Sequence, residues 1–126
     1  MKRVIYTESA PKAVGPYSQG VAAGDFIFFS GQVPLDPATG KLVAGGISEQ
    51  TRQVLKNVEA LLESESLTAK NVVKATVFIT DMNDFSAVNA EYAKYFTGNP
   101  PARSCVEVSK LPLDALVEIE IVAYRG

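Results

Sequence analysis

Histidine is absent from the 126 residues, and cysteine occurs once, at position 105. Without histidine the chain lacks the usual general base near neutral pH, the histidine-activated serine and cysteine nucleophiles, and the commonest metal ligand. Any chemistry must run on carboxylates, tyrosines, arginines, backbone amides or the single thiol. One cysteine permits no internal disulfide, which fits a reducing compartment. Basic clusters are equally scarce. None exceeds Lys2-Arg3, and 12 Lys+Arg against 14 Asp+Glu give a net charge of −2. A phosphate backbone is gripped by a stripe of cations, so nucleic acid is not an expected partner. No apolar run is long enough to span a bilayer, and the first eight residues contain no apolar leader. The expectation is a soluble, cytoplasmic protein.

What is present describes an ordinary globule, 47% hydrophobic and 21% charged. A chain of this length forms one domain, residues 1–126, and buries roughly two-thirds of its unfolded surface. Strands are predicted at Arg3–Tyr6, Ser18–Ala23, Phe26–Ser30 and Val72–Thr80, with a tight Gly24-Asp25 hairpin. Val54, Leu55, Val58, Leu61 and Leu62 repeat at helical spacing behind Ser48, a good N-cap. A second helix, capped by Asp81 or Asn83, carries Phe85, Val88, Tyr92 and Phe96 on its inner stripe and stops at Gly98-Asn99-Pro100-Pro101. Ala102–Val108 and Leu116–Tyr124, joined by a short connection, are predicted to pair as a final hairpin.

This order predicts an α+β fold, a single sheet with two helices on one face. The other face would remain bare. Phe26 and Phe28 oppose Ile27 and Phe29, and Val73, Ala75, Val77 and Ile79 oppose Val72, Thr76 and Phe78. A large bare apolar face is rare on a monomer, so a homo-oligomer is expected, with Arg103 and Glu118 lining clefts between copies.

Alternation puts Arg103, Cys105 and Glu107 on one face of their strand. Strand arginines are ordinarily solvated, but this one follows a Pro-Pro turn and opens an apolar strand. Buried unpaired it would be costly, so it calls for a carboxylate from the protein or from a ligand. In a final hairpin Glu118 lies beside Arg103 or Cys105. An arginine fork beside an acid that handles a proton suits a pocket for a small organic acid. Glu118 and Glu120 share a face, and like charges raise the pKa of the better buried one; Glu120 reads as solvated. Cys105 reads first as a small buried hydrophobe whose backbone matters more than its sulfur. Gly15-Pro16-Tyr17-Ser18-Gln19 and Ser30-Gly31-Gln32 are glycine elbows, and neither has phosphate-loop spacing. Asn89, between Val88 and Tyr92, is unremarkable on its own.

Taken together, Gly15-Pro16-Tyr17-Ser18-Gln19, Ser30-Gly31-Gln32, Asp36-Pro37-Ala38-Thr39-Gly40, Gln50-Thr51-Arg52-Gln53-Val54-Leu55 and Pro100-Pro101-Ala102-Arg103-Ser104-Cys105-Val106-Glu107-Val108 stand in the same order as in the Rid family. The chain resembles this family, the reactive intermediate deaminases also called YjgF, from about Thr7 to Tyr124. The resemblance implies a six-stranded mixed sheet like that of bacterial-type chorismate mutase, in a homotrimer with active clefts between subunits. It also implies hydrolysis of 2-imino acids, such as 2-iminobutanoate and 2-iminopropanoate, to 2-keto acids and ammonia. By that analogy Arg103 binds the substrate carboxylate, Cys105 contacts it through its backbone and Glu118 holds the attacking water. Tyr17, Ser30, Gly31 and Asn89 would line the pocket, with no metal and no organic cofactor. Glu63-Ser64-Glu65-Ser66 departs from the Ala-Gly that commonly ends the first helix in this family, a difference at a helix end only. Two rival readings stand beside this one: an endoribonuclease or translation inhibitor, and a non-catalytic small-acid sensor or chaperone-like protein.

Overall fold

Period-two burial runs through the long strands of the computed structural model, which describes residues 1–126. Strand β6 (Val117–Tyr124) buries Val117, Ile119, Ile121 and Ala123 and turns Glu118, Glu120, Val122 and Tyr124 to the opposite face. Strand β4 (Val72–Ile79) buries Ala75, Val77 and Ile79 in the same way. A bulge between Val72 and Lys74 resets its phase, so Val72 joins the buried set and Val73 is left exposed. That reverses the alternation expected for these two valines, because the extra residue of a bulge swaps the faces on either side of it.

With β1 (Arg3–Ile5), β2 (Gly20–Ala23), β3 (Phe26–Phe29) and β5 (Ala102–Glu107), these strands make one six-stranded sheet ordered β1-β2-β3-β6-β4-β5. Every pairing is antiparallel except β4 with β5. The β2–β3 hairpin turns at Gly24-Asp25 as expected, with Gly24 in the left-handed region that tight turns need (φ +61°).

The predicted final hairpin does not form. Strand β5 runs parallel to β4, and β6 sits between β3 and β4. The inward residues of β6 are all Val, Ile or Ala. Such a strand gains most in mid-sheet, where both flanks are hydrogen-bonded and one face is fully buried. Strand β5 is then left at the edge.

Two helices cover one face. Helix α1 (Ile47–Ser64) buries Val54, Leu55, Val58, Leu61 and Leu62, the stripe read from the sequence. Its start lies before Ser48: Gly46 is the N-cap, and its amide donates to Glu49 Oε1 at 2.9 Å. A short turn, Met82–Asp84, capped by Asp81, leads into helix α2 (Phe85–Tyr95). Val88, Tyr92 and Phe96 are buried as expected, whereas Phe85 stays 36% exposed at the start of the helix. Strand β4, helix α2 and strand β5 form the crossover that a parallel pair requires. No helix is long and apolar enough to cross a membrane.

Buried carboxamides lock the loops to this frame. Asn57, 1% exposed on α1, donates to the carbonyls of Val33 and Leu35 at 3.1 and 2.9 Å. Gln19 donates to the carbonyls of Thr7, Ala10 and Pro11 and accepts from the Thr7 amide. Gln50 accepts from the Leu116 amide at 2.8 Å. The face away from the helices stays bare. Val4, Phe26, Phe28, Val106 and Tyr124 are all exposed there.

Candidate functional site

Arg103 is in register with Ala75 across the parallel pair, so its side chain leaves the sheet on the helix-covered face. There it meets α2. Nη1 donates to Asn89 Oδ1 at 2.8 Å. The guanidinium carbon lies 4.8 Å from the Tyr92 ring centroid and 5.6 Å from that of Phe85. Residues 85, 89 and 92 share one side of a helix, so α2 offers an acceptor between two ring faces, a setting suited to a guanidinium. Arg103 is half-buried, and no carboxylate of the chain pairs with it; the five ion pairs involve Arg3, Arg52, Lys94 and Arg125.

Cys105, two residues along β5, is half-buried and packs against the core. Burial pushes its thiol pKa up, and the charge of Arg103 only partly offsets this. A thiol held protonated is a poor nucleophile, in keeping with its reading as a small hydrophobe. Below Arg103, the Tyr92 hydroxyl is buried without a hydrogen-bond partner. Burial raises its pKa too, against the opposing charge of Arg103.

Glu118 belongs to the other face. It shares a row with Phe78 and Val106, on the side without helices. Its carboxyl is half-buried, and burial first, then the neighbouring Glu120, pushes its pKa above the ordinary carboxylate value. It joins none of the ion pairs. The carboxylate lies over Gly31, where a Cβ would collide with Oε2. Glycine at 31 is therefore a requirement of close approach rather than of turn geometry. The elbow around it is pinned on both sides: Ser30 Oγ donates to the Ser18 carbonyl at 2.6 Å, and Gln32 exchanges two backbone bonds with Ile119 at 2.8 and 3.1 Å. A cavity of about 730 Å³ opens here, with Tyr17, Ser30, Gly31 and Glu118 in its lining. Tyr17 is exposed, and its hydroxyl accepts from the Val14 amide at 3.4 Å.

The structure thus gathers the candidate residues into two groups. Arg103, Cys105 and Asn89 lie together on the helix side, while Tyr17, Ser30, Gly31 and Glu118 lie together on the bare side. Two expectations are corrected. Arg103 does not lie on the uncovered face, and Glu118 does not lie beside Arg103 or Cys105 in the same chain. Both errors follow from the absent hairpin, since β5 and β6 flank β4 on opposite sides and their phases along it differ. Phe85 and Tyr92 were read only as core residues. Their i, i+4, i+7 spacing with Asn89 was the available signal for the platform they form beneath Arg103.

These features define a small single-sheet α+β protein that carries an uncommitted guanidinium on one face and a half-buried carboxylate on the other. It belongs to the Rid, or YjgF, family: the family described as Endoribonuclease L-PSP matches residues 7–125. A RutC family protein of Pyrococcus horikoshii is 54% identical over 125 residues, covering 99% of each chain. A Salmonella typhimurium protein named 2-iminobutanoate/2-iminopropanoate deaminase is 51% identical over 128 residues, again covering 99% of each. The crystal structure of Escherichia coli TdcF with bound serine superposes with a TM-score of 0.94 at 43% identity, covering 98% of this chain and 99% of that one.

Proposed function

We propose that this protein hydrolyses reactive 2-imino acids, 2-iminobutanoate and 2-iminopropanoate among them, to 2-keto acids and ammonia. It does so as a homotrimer whose clefts join Arg103 of one copy to Glu118 of the next. The observation that carries this reading is the state of Arg103: half-buried, oriented by Asn89 and two rings, and bound to no carboxylate of its own. Such a group favours a carboxylate supplied by a ligand. As an edge strand, β5 also leaves some of its amides outside the ladder, so the backbone at Cys105 is available to the same carboxylate.

The chemistry asks little more. Water adds to the electrophilic imine carbon, the C=N π pair moves to nitrogen, and Glu118 takes a proton from the water. Returned to nitrogen, that proton completes the amino alcohol; Glu118 then carries the hydroxyl proton to nitrogen as well, so the C–N bond breaks as the carbonyl forms, releasing ammonia and the 2-keto acid. A positioned carboxyl of this kind contributes on the order of 10²–10⁴-fold. Burial and the neighbouring Glu120 raise its pKa, which strengthens the carboxylate as a proton acceptor. The Salmonella relative's name and the amino-acid ligand of TdcF support a substrate of this class.

The family description favours a second reading, endoribonuclease activity. Absence of histidine and a net charge of −2 weigh against it. One experiment separates the readings. The purified protein is added to a pyridoxal-phosphate threonine dehydratase and imine decay is followed, with an RNA substrate in parallel. Arg103→Ala should lose the acceleration, since one charge-assisted bond alone is worth about 1.5–3 kcal/mol, roughly 10- to 150-fold. Unchanged imine decay in that variant removes the mechanism. RNA cleavage that disappears with Arg103→Ala reverses the order of the readings, and tight keto-acid binding without turnover points to a sensor.

A further inference from the structure

Leu113 occupies the left-handed region, at φ 58° and ψ 25°, and Asp114 follows at φ 58°. In that conformation the Cβ of an L residue crowds the carbonyl that follows, so such positions ordinarily select glycine or asparagine. Packing does not compensate, because Leu113 is 61% exposed and lies outside the core. A leucine is therefore both strained and exposed, and it is so at the lining of the Glu118 cavity, which it shares with Pro11, Val14 and Tyr17. Strain of this kind persists where the surroundings impose it and clusters at ligand sites.

We infer that Leu113 is a specificity-determining wall, which makes this site prefer imino acids bearing an aliphatic side chain over those with the smallest. The inference rests on the proposed function, and it follows from the substituents of the reacting carbon. One is the carboxylate, assigned to Arg103, and another is the nitrogen, served by Glu118. The third is the side chain, and the apolar lining left for it is that of Leu113, Val14 and Pro11. The bent Pro112–Asp114 turn is what sets the leucine at this lining instead of folding it into the core.

The test compares wild type with Leu113→Gly and Leu113→Asn, two residues that accept the left-handed backbone. Wild type should favour 2-iminobutanoate over 2-iminopropanoate in kcat/KM by on the order of tenfold, as one methylene in an apolar pocket allows. Both variants should bring the ratio to within about twofold, while their melting temperatures rise by a few degrees as the strain is relieved. A ratio that survives in both variants overturns the inference, and so does a variant that only dissociates the assembly in light scattering with its ratio intact. Calorimetric affinities for 2-oxobutanoate and pyruvate supply the same comparison without turnover. If wild type hydrolyses neither imine yet prefers 2-oxobutanoate, and the variants lose that preference, the deaminase reading fails and the wall stands. If wild type turns over both imines and the variants keep the preference, the wall fails and the deaminase reading stands. Turnover of neither imine together with binding of neither keto acid overturns both.

Discussion

The Arg103 guanidinium and the Glu118 carboxylate leave opposite faces of one sheet: Arg103 shares its row with Ala75 and Ile121, and Glu118 shares its row with Phe78 and Val106. A small ligand cannot touch both within one chain. If both serve one reaction, each active cleft takes them from different copies. Mixing two inactive variants, Arg103→Ala and Glu118→Gln, and letting their subunits exchange should then regenerate intact clefts. For random cyclic trimers of equal parts, three-quarters are mixed and each has one intact cleft in three, giving about a quarter of wild-type activity. Recovery of none, with exchange verified by native mass spectrometry, would place both groups in separate functions.

The same Glu118 should set the acid limb of the rate profile. Burial and Glu120 hold its folded pKa above the ordinary 4.5, so it remains protonated to higher pH than a free carboxyl. With the carboxylate as the proposed water-activating form, kcat/KM should rise with pH through that elevated value and level off above it. Stability moves the other way, because the folded state binds this proton more tightly than the unfolded chain, and is lost as pH rises through the same window. Glu118→Gln should remove the acid limb together with about 10²-fold or more of the rate. A variant that keeps the limb would assign it to another group.

Gly31→Ala offers a probe that leaves every ionisable group in place. The added methyl would collide with Glu118 Oε2, which is the end of a flexible side chain, so the carboxylate must swing aside while the fold survives. We expect a melting temperature within a few degrees of wild type and kcat reduced by about 10²-fold, the scale of a misplaced acid–base group. Full activity would mean that the position of the carboxylate over Gly31 is immaterial.

Far from either cluster, Glu65 ties the chain ends together. It accepts from Arg3 on β1 and from Arg125 just beyond β6, whose guanidinium also reaches the Glu65 carbonyl at 3.0 Å. The hydrogen bond from Arg3 and the charges of both arginines hold its carboxyl below the usual value, against the opposing effect of burial. The stability this supplies is present above pH 4.5 and is lost as pH falls through the lowered folded pKa. Urea unfolding should find Glu65→Gln less stable than wild type at pH 7 and nearly equal to it at pH 3. A gap that persists undiminished in acid would assign the effect to packing.

Much of the architecture was legible in the residues, and the errors share a cause. The stripe Val54, Leu55, Val58, Leu61 and Leu62 read as one helix face because 3.6-residue periodicity is a local property. Strand pairing is not local. Ala102–Glu107 and Val117–Tyr124 alternate equally well against any neighbour, and their closeness in sequence suggested a hairpin that the central demand for β6 overrode. The bulge beside Val73 was invisible for a similar reason, since no glycine marks it. At the candidate site, Arg103 and Glu118 were singled out by residue type. Their separation across the sheet depended on pairing phase, and with the pairing mistaken it could not be read. Leu113 was hidden most completely, because nothing in its identity announces a left-handed backbone.

The loops around Glu118 are fastened by carboxamides: Gln19 holds the segment leading to Tyr17, Gln32 bridges to the Ser30 carbonyl, and Asn57 holds the carbonyls of Val33 and Leu35. Amides of this kind neither gain nor lose a proton across the span from acid to alkali. Their grip is accordingly blind to pH, and salt has little to screen in it. The loops keep their shape while the carboxyls of Glu118 and Glu120 in the cavity change charge, so the rate profile in this region reports those acids and not a rearrangement of the loops that hold them.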